Sequence, residues 1–487
     1  MSAEIKNEVR KDYIKYLHFA IVLALMFLFR FIPPFGTITP YGMAIIGIFL
    51  GLLYGWSVDA SNLIWSSLLS LVALGMTDFG TAGNAIAAAF NNESVVLVLL
   101  GMFFIGMLQD SHLTEWFANK LLGAKFANGH PWMLTALIII APGLLTILVN
   151  ATLVALIMFA VYKSIFQQAG YKIGDLYPAM VLMGHMIVAS VAFSLFPFRG
   201  WCLMTVGIAL NAGISIDMAG WIITVLVTLL VSSFGWILVM FLTPGCKVDK
   251  LKDCDISKYQ KESTALTKRQ KAVLTILIMN IVGCIFLSFV GSASGTGIRL
   301  MLSKIGVYGW VTFLVAFAMV WKVDGQPVLD KRTAPSYFYW DLILVIASAL
   351  VIANQITSEA AGITPLIGQI MAPMFGLPSF ALLFALGFVT FIITNFANNI
   401  AVTVTMITIA MTIATQVDYN LQVALMIITL FGVIGLLTPA GSANGAMIHA
   451  HDYTTTKSAY TAGILMIIFL SIIMAVVTIP LGSQIMG

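Results

Sequence analysis

Two apolar stretches, 133 to 165 and 379 to 412, are too long for one membrane crossing, and each carries a polar cluster near its middle. The clusters are Thr146-Ile-Leu-Val-Asn150-Ala-Thr152 and Thr394-Asn-Phe-Ala-Asn398-Asn-Ile400. One offset relates Thr146 to Thr394, Asn150 to Asn398, Val154 to Val402 and Met158 to Met406, so the clusters read as copies of one element. Amides and hydroxyls lose their water in hydrocarbon and must find other partners. About 15 residues on either side of each tip, rising ~1.5 Å each, reach roughly 22 Å, short of a hydrocarbon core of ~30 Å. Each stretch therefore reads as a re-entrant hairpin with its tip near the midplane, where irregular backbone survives only against protein or water. Polar tips at matching places in two halves point to a site between repeats.

The rest of the chain supplies the matching solvent. Hydrophobic residues make up 60% and charged residues 9%, and further apolar segments fall near 17 to 32, 41 to 55, 61 to 76, 94 to 108, 177 to 210, 219 to 242, 272 to 290, 306 to 321, 340 to 356, 421 to 447 and 458 to 482. The expected fold class is an all-α polytopic membrane protein with inverted repeats: about eleven transmembrane helices, two re-entrant hairpins and two broken helices. The first repeat spans 1 to 242, with scaffold helices in 17 to 122. A polar linker, 243 to 271, separates it from a second repeat spanning 272 to 487, with scaffold helices in 272 to 371. Asn92 to Gly101 ahead of the first hairpin resembles Trp340 to Ser348 ahead of the second, and amphipathic stretches follow at Leu113 to Leu122 and Ile363 to Met371.

Lys and Arg give the orientation. The linker carries Lys247, Lys250, Lys252, Lys258, Lys261, Lys268, Arg269 and Lys271, and the N-terminus carries Lys6, Arg10, Lys11 and Lys15, so both are assigned to the cytoplasm. Lys322, Lys331, Arg332 and Lys457 then fall inside, while Arg299 and Lys304 fall outside. The first hairpin enters from the cytoplasm, the second from outside, and the C-terminus ends outside a cell inner (plasma) membrane. No small-residue cleavage site follows the first apolar segment, so that helix is expected to stay.

Several functions are excluded by what is missing. A net charge of +4 spread over one face of the topology implies no nucleic-acid partner. Cys202, Cys246, Cys254 and Cys284 have neither disulfide-framework nor zinc spacing. No nucleophile, base and orienting group converge, and no phosphate-binding loop exists, so the chain reads as a secondary transporter and not an enzyme, with no organic cofactor.

After each hairpin comes a broken helix, interrupted at Leu195-Phe-Pro197-Phe-Arg199-Gly200 and at Leu437-Thr-Pro439-Ala-Gly441-Ser-Ala-Asn444-Gly445. Proline removes an amide donor and clashes with the preceding turn, so each break exposes half-helix ends. N-terminal ends favour an anion; unwound carbonyls favour a cation. Arg199 stays protonated, and no Asp or Glu lies in the hairpin tips or breaks to neutralise it, which makes a substrate carboxylate its expected partner. The competing reading puts Arg199 at a helix end, reaching the outer interface. Asn150, Asn398 and Asn399 have a bland alternative as helix caps or cross-links. His185 reads as a packing histidine, and His449 and His451 as solvated. The absence of tip carboxylates argues for sodium over a proton relay.

The tips, the Thr438-Pro439 step and the two breaks together resemble the divalent anion/sodium symporters over nearly the whole chain. The resemblance implies a homodimer with a scaffold and a mobile transport domain, carrying dicarboxylates, citrate or sulfate, with obligate exchangers among its members. It places Thr394, Ala397, Asn399 and Leu437 at a sodium site, Asn398 at the family's Ser position and Ile400 at its Thr position. By duplication, Thr146 and Asn150 mark a degenerate first sodium site, with Asn150 at the Ser position, Ala151 where the family has Asn, and Thr152 retained. Asn150, Thr152, Asn398, Asn399 and Thr438 are then expected to hydrogen-bond a small anion, beside Ala151, Ile400 and Pro439, with Arg199 balancing its charge. Arg199 is also placed to replace the first sodium, which favours exchange. A sulfate or other oxyanion carrier, or a cation antiporter of the wider superfamily, is the alternative.

Overall fold

Apolar runs of Leu, Ile, Val and Met can satisfy their backbone groups internally as helices, and the computed structural model is built almost wholly of them. It describes residues 14–58, 63–91, 93–113, 116, 120, 129–147, 151–198, 200–252, 265–290, 297–338, 340–356, 358–371, 376–439 and 441–486. In chain order the helices are α1 (Ile14–Phe31), α2 (Pro40–Val58), α3 (Ile64–Leu74), α4 (Ala82–Phe90) and α5 (Glu93–Asp110). Next come α6 (Pro131–Leu145), α7 (Ala151–Gln168), α8 (Leu176–Phe193), α9 (Gly200–Asn211) and α10 (Met218–Leu242). Then follow α11 (Lys268–Val290), α12 (Ile298–Val320), α13 (Trp340–Ile356) and α14 (Ile363–Met371). The last are α15 (Ser379–Ile393), α16 (Asn399–Ala414), α17 (Leu421–Gly432), α18 (Ala443–Ala450) and α19 (Thr456–Ile485). Five helices among the described residues are long and apolar enough to cross a membrane alone. The protein is an all-α polytopic membrane protein.

The same series appears twice: a helical hairpin, an interrupted helix and a long helix. It runs through α6–α7, α8–α9 and α10, then through α15–α16, α17–α18 and α19. The repetition is exact in register at the hairpins, because α6 and α15, and the starts of α7 and α16, differ by the same offset that relates Thr146 to Thr394. Interrupted helices form the core. In α8 the side chains from Tyr177 to Ala192 are all buried, and in α17 those from Val423 to Phe431 are too. Each is packed against its own hairpin, and α9 reaches across to α17 through Thr205 Oγ1, 2.6 Å from Thr429 Oγ1.

The bases of the two hairpins are anchored at opposite ends of α10. Near its C-terminal end, Tyr171 after α7 donates to Lys247 O at 2.6 Å, Gly174 N donates to Tyr453 O at 3.0 Å, and Lys250 Nζ lies 2.8 Å from Asp175 Oδ2. Arg269–Asp110 and Lys268–Asp324 pairs extend this charged end. At its N-terminal end, Asp217 N donates to Gln422 Oε1 at 2.7 Å, and Asn420 Nδ2 donates to Met486 O at 3.2 Å, so the base of the second hairpin lies there.

Three features depart from the sequence reading. Helix α4 sits where no element was expected, a nine-residue, alanine-rich helix capped by the Thr81 side chain. A single non-helical residue, Gly306 with φ 54°, kinks α12 near its start. The second interruption runs from Val433 to Ser442, four residues ahead of the expected Leu437, because side chains of the second hairpin take over the backbone partners there. Of the amphipathic stretch expected at 113 to 122, only residues 113, 116 and 120 are described.

Lys250, and then the Lys172 N–H, hold the Asp175 carboxyl below its usual range. The folded pKa lies below an unfolded value of about 3.9, so the stabilisation is complete above that pH and fades as pH falls through the lowered value. Lys250→Met is therefore expected to lower the unfolding temperature at pH 7 slightly, by the equivalent of about 0–1 kcal/mol after solvent screening. The gap from the parent protein should close toward pH 3; a gap unchanged at pH 3 contradicts the assignment.

Candidate functional site

The second hairpin turns through Thr394, Asn395, Phe396, Ala397 and Asn398, and its side chains knit it to the interruption between α17 and α18. Thr394 Oγ1 donates to Gly432 O at 2.5 Å and lies 2.8 Å from Asn399 Oδ1, while Asn399 Nδ2 donates to Val433 O at 3.0 Å. Asn398 caps α16, its Oδ1 accepting from Ile400 N at 2.9 Å and Ala401 N at 3.3 Å. Asn395 does the most. Fully buried, it accepts at Oδ1 from Leu436 N at 2.9 Å and Leu437 N at 2.8 Å, and its carbonyl accepts from Thr438 Oγ1.

Those bonds satisfy the Leu436 and Leu437 amides, and carbonyl oxygens crowd together beside them. A methyl carbon at Gly441 would lie 2.9 Å from both Thr394 O and Asn395 O and 3.0 Å from Gly435 O. One at Gly435 would lie 2.5 Å from Asn399 Oδ1 and 2.6 Å from Thr394 O. No Asp, Glu, Lys or Arg occurs in 394 to 398 or 433 to 442. A cluster of uncharged oxygens with several lone pairs left is the donor set a hard monovalent cation takes. Only residues without side chains leave it open.

The first hairpin repeats the opening move. Thr146 ends α6 as Thr394 ends α15, and its hydroxyl lies 2.9 Å from Ala189 O on the interrupted helix that follows and 2.6 Å from Gly143 O. Thr152, at the start of α7, donates to Asn444 Oδ1 at 2.9 Å, so the first hairpin meets the second interrupted helix. Ala151 beside it is buried. The first interruption carries Phe196 and Phe198, buried and stacked with centroids 5.2 Å apart. Asn150 and Arg199 lie outside the described residues.

The predicted residues thus fall into two groups. Thr394 and Asn399 contribute oxygens to the cluster, and Leu437 and Thr438 border it by donating to Asn395. Ala397 and Ile400 are half-buried in and just after the turn, and Pro439 is exposed. Leu437 turns its carbonyl toward His449, whose Nε2 lies 2.9 Å away, so His449 is not the solvated residue expected but a prop beneath the break. His451 likewise bonds Phe159 O at 3.2 Å. His185 does pack: it is fully buried, with Nδ1 2.6 Å from the Tyr162 hydroxyl. Asn395, Gly435, Gly441 and Asn444 were missed as site residues. A third amide in the Thr394-Asn-Phe-Ala-Asn-Asn tip, and the glycines flanking Thr438-Pro439, were the available signals.

A family model described as the sodium:sulfate symporter transmembrane region matches residues 13–486, and the chain belongs to that family. The comparison with curated proteins gave no match. Membership makes the protein a sodium-coupled anion transporter embedded in a membrane.

Gly441→Ala should place its methyl against three carbonyl oxygens and abolish the rise in unfolding temperature that sodium chloride gives over potassium chloride. An undiminished sodium-specific rise in the folded variant contradicts a cation site there.

Proposed function

We propose that the protein moves a small organic anion, a di- or tricarboxylate, across the cell inner (plasma) membrane by alternating access, through sodium-coupled symport or anion exchange. The observation that carries the sodium half is the uncharged oxygen cluster joining the Thr394–Asn399 turn to the break after α17. Sodium sits there, held by oxygens of Thr394, Asn395, Asn399 and Gly435, with Ala397 and Leu437 in the same turn and break.

The anion lies between this cluster and the first hairpin, near Thr152, Asn398 and Thr438, with Asn150 and Ala151 at the facing tip. Arg199, the one charged residue of either break, pairs with a carboxylate. Its fixed charge takes the place of a first sodium at Thr146 and Asn150 and favours anion exchange. The opposed anchoring of the hairpin bases supports two re-entrant hairpins entering from opposite faces, the first from the cytoplasm. The reading extends to inverted repeats divided at 243 to 271, a homodimer, a cytoplasmic N-terminus, and an elevator-like movement of the hairpins against the scaffold. Sulfate is the second reading, favoured by the family's description.

Reconstituted vesicles decide among these. Uptake of labelled succinate, citrate and sulfate is measured under a sodium gradient, with and without internal unlabelled anion. Succinate or citrate uptake that requires sodium or internal anion, and falls at least about tenfold in Arg199→Gln, is the expected outcome. Uptake of sulfate alone, unaffected by the substitution, overturns the carboxylate reading.

A further inference from the structure

The first turn of α18 has two working edges. One edge closes the oxygen cluster: Ser442 Oγ donates to Gly435 O at 2.6 Å and accepts from Gly445 N at 3.0 Å, fixing the backbone at Gly441 against the second hairpin. On the other edge Asn444 accepts from Thr152 at 2.9 Å, reaching the first hairpin directly. Only Ala443 separates Ser442 from Asn444 in sequence. The helix is short, eight residues, and its far end is fastened by His449 to Leu437 O and by His451 to Phe159 O on α7. A hydrogen-bonded turn moves as a unit, so a shift of the cluster on ion binding is carried to the Asn444 amide.

We propose that Asn444 is a positioning residue that couples sodium at the second hairpin to anion binding at the first. This inference rests on the transport reading above. Sodium drawing the Thr394 and Gly435 carbonyls together seats α18, and the seated Asn444 holds the Thr152 hydroxyl in place at the mouth of the first hairpin. Asn444 itself touches neither the oxygen cluster nor the ion. By linkage, the factor by which sodium strengthens anion binding equals the factor by which the anion strengthens sodium binding.

Succinate and sulfate are titrated calorimetrically against the purified protein in sodium chloride and in potassium chloride, and the ratio of affinities gives the coupling factor. In Asn444→Ala this factor should fall by about tenfold, the scale of one lost coupling contact, while sodium alone still raises the unfolding temperature. Thr152→Val should fall equally, the double variant no further, and Thr152→Ser should keep the parent's factor. An unchanged factor in Asn444→Ala beside a coupled parent overturns this inference alone. Loss of the sodium-specific stabilisation in that variant makes Asn444 part of the ion site and also overturns it. A parent protein on which sodium has no effect with either anion overturns the transport reading, and this inference with it.

Discussion

Unwinding a buried helix between Gly432 and Ala443 leaves backbone groups without their helical partners, and everything at the site depends on how those groups are satisfied. In apolar surroundings each unpaired amide or carbonyl costs several kcal/mol, so the break persists only because neighbours supply replacements. Asn395 takes two amides at one side-chain oxygen and the Thr438 hydroxyl at its own carbonyl, and Thr394, Asn399, Ser442 and His449 take carbonyls. The division of labour is uneven. The Leu436 and Leu437 amides are met by Asn395, whereas the carbonyls of Thr394, Asn395 and Gly435 gather where a cation can use their remaining lone pairs.

This arrangement has a counterpart in the first hairpin. Thr146 and Thr394 occupy the same step of their hairpins, and each hydroxyl reaches a carbonyl of the interrupted helix that follows. The copies have diverged. The second carries Asn399 bonded to Val433 O and the oxygen cluster, while the first has Ala151 at the corresponding place and a hydroxyl, Thr152, directed at Asn444. Anchoring at opposite ends of α10 then brings one tip from each end toward the second break, where Gly441 lies against the second hairpin and Asn444, at the start of α18, bonds the first.

The hairpins and breaks were legible in the sequence because apolar length and polar tips are local features. At the tips the arms of both hairpins stop and start where the offset between Thr146 and Thr394 requires, and α8 ends next to the break expected at Leu195. The second break was located four residues late because its start has no proline; Thr394 and Asn399, distant in sequence, take the carbonyls of Gly432 and Val433. The same cause hid the roles of Asn395 and His449. A side chain that satisfies another segment's backbone leaves no periodicity, and His449 at a helix end looks solvated until Leu437 O is found opposite it.

The central claim is that sodium binds where the second hairpin meets the unwound strand and orders both. Hydrogen exchange of the purified protein in sodium against potassium tests it most directly, since amides protected only by this turn and break open locally. The account predicts slower exchange in sodium confined to 394 to 401 and 433 to 445. Equal exchange of these two segments in both salts would contradict it.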